Sequence, residues 1–358
     1  MESGGLSIVS LYNTITADLY GRNTYMEHTQ DFNDISVQDL TIPSDYNKLF
    51  KGRTVFITGT ARSGTTLLGR IVGSLQPVYY LHEPVLLKIL PVLYKYDRSM
   101  RPQLAHMLRL VLFEDFMLQV IHGRNANFNT MDLSYIGNYV DIKDIKERWS
   151  TFRRRIDVID YLNSNNVLFV IKMPELQPVM SELKEIFPDA LFLHTIRNGM
   201  DMVNSGIKSR GWFSKKFFNE QLLDWVYNGK NGERNIPWFV DDESKQFFGQ
   251  WNDVTKAAYI WRIQNEKGLQ FCSENKESCK EFKYEDLIVS PNKFVNKIIA
   301  FVEDRFQFKV SITDITKKNL ESIRKYDYQD YDDIVESIEA PEKNKFVQLM
   351  SEQAYYSK

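Results

Sequence analysis

One stretch constrains the fold of this chain more than any other: Thr54-Val55-Phe56-Ile57-Thr58, followed at once by Gly59-Thr60-Ala61-Arg62-Ser63-Gly64-Thr65-Thr66. The first five residues form a β-branched and aromatic run, which reads as a buried strand. A turn bounded by glycines follows, and Thr66–Ser74 reads as a helix. Strand, glycine turn, helix is the entry unit of an α/β nucleotide-binding domain. The alternation continues down the chain. Val78–Leu81, Val167–Ile171, Ala190–Ile196 and Glu281–Tyr284 read as further strands. Val85–Tyr94, Gln103–Gln119, a segment from Ile142 into the 150s, Gln177–Phe187, Asp201–Lys208, Trp251–Leu269 and Pro291–Glu303 read as helices. Continuous apolar strands alternating with helices imply a parallel sheet covered on both faces. The expected fold class is therefore α/β, a three-layer parallel sheet flanked by helices.

The loop itself has the frame G-x-x-x-x-G-T-T. Set against the Walker A frame G-x-x-x-x-G-K-[ST], both glycines and the terminal Thr66 are in place, but Thr65 stands where the lysine would be. In a kinase or ATPase that lysine reaches the β- and γ-phosphates, and the hydroxyl residue holds Mg²⁺. A loop lacking it still offers backbone N–H groups and a helix N-terminus to an anion. It suits a donor with one phosphate at that end, bound without a metal.

A second basic site closes another strand. Arg197 ends the run Ala190–Ile196, Gly199 permits a tight turn, and Ser205 lies on the helix that follows. A guanidinium matches a phosphate dianion well. Lys208 and Arg210 come next and add positive charge or simply solvate a helix end. Two anion sites at two parallel strand ends are what a nucleotide phosphorylated at both ends requires, and such folds bind ligands at that edge.

The rest of the chain narrows the function further. The formal net charge is −2, so the molecule as a whole is not built to grip nucleic acid or an anionic membrane. The two cysteines, Cys272 and Cys279, fit neither a redox pair nor a zinc spacing; a bridge between them is left open, while a disulfide framework is excluded. The five histidines are scattered, so no metal is expected. No secretory leader or membrane span is evident, which makes a cytoplasmic protein without membrane insertion the expectation. Residues 1–50 read as a peripheral extension, 51–310 as the main domain with 212–250 as an insertion on the acceptor side, and 311–358 as a helical tail packed on it.

Arg62-Ser63-Gly64-Thr65-Thr66-Leu67 resembles the 5′-phosphosulfate loop of sulfotransferases that use 3′-phosphoadenosine 5′-phosphosulfate (PAPS), in its Golgi and bacterial form. Arg197 with Ser205 resembles the 3′-phosphate site of the same family, although Asn198 stands where aspartate is usual. Lys283-Tyr284-Glu285-Asp286-Leu287 resembles the family's Y-E-D-L motif. The resemblance spans residues 54 to about 302. It implies a P-loop NTPase-like sulfotransferase fold and an enzyme that transfers a sulfuryl group from PAPS, with PAP as the other product and no metal needed. Arg62, Ser63, Gly64, Thr65 and Thr66 would hold the 5′-phosphosulfate, Arg197 and Ser205 the 3′-phosphate, and Tyr284 would contact adenine or else pack the sheet edge.

The chemistry needs a base. Tyr80-Leu81-His82-Glu83-Pro84 resembles the Y-L-x-E-P stretch of carbohydrate sulfotransferases, where the glutamate is the general base. Burial at the strand end would raise the pKa of Glu83 toward that task. His82 is the competing base, but neighbouring strand residues face opposite ways, and Glu83 is favoured. Lys172, closing the strand Val167–Ile171, corresponds to a lysine that contacts the leaving phosphosulfate bridge in related enzymes. Arg153-Arg154-Arg155 and Lys215-Lys216 are either an anionic-acceptor site or solvated surface. The acceptor is a hydroxyl or amine, with a lean toward a sugar and a small metabolite as the other choice. A P-loop kinase or NTPase and a catalytically inactive PAP-binding scaffold are the alternative readings.

Overall fold

The computed structural model describes residues 45–211, 213–219, 226–227, 236–323 and 332–355. Its centre is one sheet of five strands: β1 Thr54–Gly59, β2 Val78–His82, β3 Leu168–Lys172, β4 Leu191–Ile196 and β5 Cys279–Lys283. They lie in the order β2-β3-β1-β4-β5, and every neighbouring pair is parallel. The chain leaves β1 for the edge strand β2, returns to β3 beside β1, then crosses to the far side for β4 and β5. Such a reversal of direction opens a crevice at the carboxyl edge of the sheet. The register places Lys172 opposite both Ile57 and His82, Gly59 opposite Thr195, and Ile196 opposite Lys283.

The helices that matter to the site are α1 Thr65–Gly73, α2 Leu86–Tyr96, α3 Arg101–Asp115, α4 Gly199–Arg210, α5 Asp253–Glu274, α6 Tyr284–Val289, α7 Pro291–Phe306 and α8 Glu342–Glu352. Val55 and Ile57 of β1 join a cluster with Leu68 and Ile71 of α1 and Val295 and Ile298 of α7. Phe56, between them, joins another with Phe192 and with Phe113 of α3. Burial on both faces is why these strands read as unbroken apolar runs.

The first four strands fall within a residue of where those runs place them, and β5 begins two residues earlier. Tyr284 is not its last residue but the first of α6. The single helix expected over Gln103–Gln119 is α3 followed by a π-helical turn, Phe116–Ile121, which the apolar pattern does not signal. Gln177–Phe187 divides into a short 3₁₀ turn through Pro178 and the helix Met180–Ile186. Trp251 precedes α5, whose first turn is capped by Asn252 accepting from the Thr255 N–H. Cys272 and Cys279 are joined, tying the last turn of α5 to the start of β5.

The described part of the tail is helical, and α8 is fastened by a buried bidentate pair. Arg262 Nε donates to Glu342 Oε1 at 2.6 Å and Nη2 to Oε2 at 2.9 Å. Residues 1–44 of the expected N-terminal extension, and 212, 220–225 and 228–235 of the expected insertion, lie outside the described residues. Among the described residues no helix is long and apolar enough to cross a membrane.

Candidate active site

Parallel strands all present their carboxyl ends at one edge, and here each of the five delivers a residue singled out from the sequence. Arg62 follows β1, Glu83 follows β2, Lys172 ends β3, Arg197 follows β4 and Tyr284 follows β5. All five line one cleft of about 400 Å³ at that edge, together with Gly64, Thr65 and Thr66 of the loop.

The loop owes its path to two glycines. Gly59 passes so close to β4 that a Cβ there would sit 2.2 Å from Thr195 Oγ1. Gly64 has φ 82°, a left-handed conformation, and a Cβ on it would lie 2.1 Å from the ring of Tyr284. Arg62 also takes a positive φ of 71°. The Ser63 N–H donates to the Thr60 carbonyl at 3.0 Å, closing the turn. The Ser63 hydroxyl is buried and finds no hydrogen-bond partner among the described residues. A buried hydroxyl with unspent capacity is costly unless something else fills it.

The two basic groups identified in the sequence lie in contact. Arg62 Nε donates to Ser205 Oγ at 3.0 Å, joining the loop after β1 to the helix after β4. Arg197 Nη1 donates to the Arg62 carbonyl at 3.0 Å. The Arg197 guanidinium also stands 4.7 Å from the centroid of the Tyr284 ring, a cation–π contact. The ring is therefore packed against Gly64 of the loop and against Arg197 of the second group.

Sequence reasoning missed what holds Arg197 in place. Its carbonyl accepts from Trp261 Nε1 at 2.9 Å. The N–H of Asn198 donates to Glu285 Oε1 at 3.0 Å, and Tyr355 donates to the other oxygen of Glu285 at 2.9 Å. Glu285 thus clasps the ends of β4 and β5. Asn198 also caps α4 through its side chain, accepting from the N–H groups of Met200 and Asp201. An asparagine serves there as well as an aspartate, which accounts for the departure at this position.

On the other side of β1 lies an ion pair. Lys172 Nζ donates to Glu83 Oε1 and, at 2.9 Å, to Thr66 Oγ1 at the start of α1. The lysine side chain is only 1% exposed, while the carboxylate of Glu83 is 42% exposed. Glu83 leaves the strand with φ 49°, and its N–H donates to the Lys172 carbonyl at 2.8 Å. This left-handed step frees Glu83 from strict strand alternation. Burial would raise its pKa, as expected from the sequence, but the Lys172 ammonium and its hydrogen bond outweigh that effect, with help from His82 and Lys88. Glu83 is held below the ordinary carboxylate value, a correction to the expectation. Burial lowers Lys172 in spite of Glu83.

His82 is placed differently. Its Nδ1 hydrogen-bonds with the Tyr80 hydroxyl at 3.0 Å, and Nε2 lies 3.8 Å from Glu83 Oε1. Burial, then Lys172, push its pKa down to about 4 against the pull of Glu83 and Asp132. His82 is not among the residues lining the cleft.

A second buried pair went unnoticed in the sequence. Lys88 Nζ of α2 lies 3.0 Å from Glu175 Oε2, with side chains 7% and 5% exposed, and both residues line the cleft. Lys88 is a lone cation within the apolar run Val85–Leu90, the signal that could have flagged it. Arg153, Arg154 and Arg155 line a separate groove with Trp149. Arg154 pairs there with Asp157 at 2.7 Å and Arg155 pairs with Glu114. Lys216 is exposed, and the side chains of Lys215 and Arg210 lie outside the described residues.

The family profile described as "Sulfotransferase family" matches residues 54–235, half of the chain. The chain is a sulfotransferase. No curated protein sequence matches it significantly. Among solved structures, the sulfotransferase domain from the curacin biosynthetic pathway is 13% identical, with TM-score 0.41 over 86% of this sulfotransferase and 99% of that chain. The sulfotransferase domain of the Synechococcus PCC 7002 olefin synthase is 17% identical, with TM-score 0.39 over 86% and 97%. Sulfotransferase STF1 from Mycobacterium tuberculosis H37Rv is 15% identical, with TM-score 0.37 over 82% and 78%.

Proposed function

We propose that this sulfotransferase uses PAPS as donor, and that Glu83 is the general base that activates a hydroxyl or amine of a small acceptor. The observation that carries this reading is the convergence of Arg62, Glu83, Lys172, Arg197 and Tyr284 from five parallel strand ends into one cleft. The residues suit the donor. The buried, unpartnered Ser63 hydroxyl and the bare backbone at Gly64 form a cradle for an oxyanion, and the Arg62–Ser205–Arg197 cluster supplies the charge for phosphate. PAPS, when bound, supplies a sulfuryl group whose S–O bond to the phosphate breaks as the acceptor atom bonds to sulfur, the electron pair leaving with PAP.

The chain's own groups then have distinct tasks. Glu83 accepts the proton that the acceptor sheds as it attacks. Lys172 meets the negative charge that grows on the leaving oxygen, and its reach to Thr66 aims it at the loop. Glu83 and Lys172 neutralise one another without donor. An anion beside Lys172 competes for the ammonium, and Glu83 then becomes a stronger base. Tyr284 packs against both Arg197 and Gly64 of the loop, so its packing role is favoured over direct contact with adenine.

Titration with PAP tests the donor assignment. Arg62→Ala and Arg197→Ala should each raise the calorimetric Kd for PAP about 10- to 100-fold, the size of a charged hydrogen bond removed. Unchanged affinity in both would refute PAPS as donor, as would tighter binding of ATP with Mg²⁺ than of PAP. His82→Gln should lower kcat less than about tenfold, because a ring whose pKa is near 4 and whose Nδ1 is engaged by Tyr80 is a poor base at neutral pH. Loss of turnover comparable to that of a Glu83 variant would move the base to His82.

A further inference from the structure

The loop after β1 and the strand end that carries Arg197 are tied together twice. The first tie lies at the cleft, where Arg197 Nη1 donates to the Arg62 carbonyl. The second runs through the core and uses one helix. Trp261 Nε1 of α5 donates to the Arg197 carbonyl at 2.9 Å. One turn further along α5, Asn265 Nδ2 donates to Thr60 Oγ1 at 3.2 Å and to the Trp261 carbonyl at 2.7 Å. Thr60 is the loop residue whose carbonyl accepts from the Ser63 N–H and so closes the turn. Loop, Arg197, Trp261 and Asn265 thus form a closed circuit of hydrogen bonds.

The helix is built to come this close. Residues 261, 265 and 268 share one face of α5 at helical spacing. Gly268 lets that face lie against the sheet, because a Cβ there would sit 2.5 Å from the His194 ring of β4. Thr60, Trp261 and Asn265 are all fully buried, and neither α5 residue lines the cleft. A buried amide costs free energy unless its polar atoms are matched, so packing alone does not favour asparagine at 265. What its Nδ2 group provides is a hold on the loop from the same helix that holds Arg197.

We propose that Asn265 and Trp261 are positioning residues for the donor. Asn265 sets the loop that takes the 5′-phosphate end, Trp261 sets Arg197 for the 3′-phosphate, and α5 fixes the distance between the two. The proposal rests on the reading of the cleft as a PAPS-dependent site. Neither residue touches the nucleotide; each acts through the group it holds.

The test uses the full chain and calorimetry with three probes: PAP, adenosine 5′-phosphate and adenosine 3′-phosphate. Asn265→Leu should raise the Kd for PAP and for the 5′-phosphate about three- to tenfold, the size of one hydrogen bond, and leave the 3′-phosphate within about twofold. Trp261→Phe keeps a ring and removes the indole N–H. It should raise the Kd for PAP and for the 3′-phosphate by about the same factor and spare the 5′-phosphate. A purely structural role would not divide the probes in this crossed way. Thr60→Val removes the Asn265 bond from the loop side and should reproduce Asn265→Leu, which keeps the loop arm decisive if that variant does not fold. If the variants weaken all three probes alike, or none of them, the positioning assignment is wrong while the donor reading survives. If wild-type protein binds PAP no more tightly than either monophosphate, the donor reading falls and this inference with it.

Discussion

Glu83→Gln is expected to reduce kcat by about 10²- to 10⁴-fold, the usual contribution of a positioned general base, while the Kd for PAP stays within about twofold of wild type. The substitution keeps shape and removes basicity. The split between turnover and binding follows from geometry. Glu83 reaches Lys172 from the end of β2, whereas Arg62, Ser205 and Arg197 gather at the ends of β1 and β4. Two measurements decide the matter: steady-state transfer of labelled sulfate, and calorimetry with PAP. A Gln variant with normal turnover would remove Glu83 from the chemistry. A variant that loses turnover and PAP binding together would make Glu83 an organiser of the cleft.

Lys172→Met should lower kcat by about 10²- to 10³-fold, the range seen when one preorganised group facing developing negative charge is removed. Methionine nearly fills the volume, so the buried strand end is retained. A second readout separates this role from packing alone. In the wild type Lys172 holds Glu83 below the ordinary carboxylate value, so the carboxylate stays ionised to lower pH. Activity on the acid side should therefore fall only below the usual carboxylate range, near pH ~4.3. Without the ammonium, burial is the leading influence on Glu83, and burial favours the protonated acid. The acid limb of kcat/KM in Lys172→Met should shift to higher pH. An unmoved limb would show that the two groups do not share charge in the working enzyme.

Four of the five strands could be read from the sequence because they are buried and carry the signal in apolar runs, whereas the edge strand β5 leaves Lys280 exposed and gives no such run. The candidate residues could be placed because they adjoin those runs, and parallel pairing brings every strand end to one edge. What escaped the sequence depends on contacts between distant segments. Glu285 is acidic within a motif that suggests ligand contact, yet it accepts from Asn198 and Tyr355. Lys88 and Glu175 are 87 residues apart, and only the docking of α2 against the turn after β3 makes them partners. The lowered pKa of Glu83 depends on Lys172, 89 residues away, and strand alternation could not foresee the left-handed step that brings the two together.

The end of the chain is less dispensable than a peripheral helix looks. Phe346 and Met350 of α8 rest on Gly199, where a Cβ would be 2.7 Å from the Phe346 ring, and Tyr355 reaches Glu285. These contacts converge on the backbone that carries Arg197. Phe346, Met350 and Tyr355 work like the far leg of an arch, bearing on the strand end from outside the cleft. Substitution of Phe346, Met350 or Tyr355 is therefore expected to disturb the backbone around Arg197 and not the tail alone.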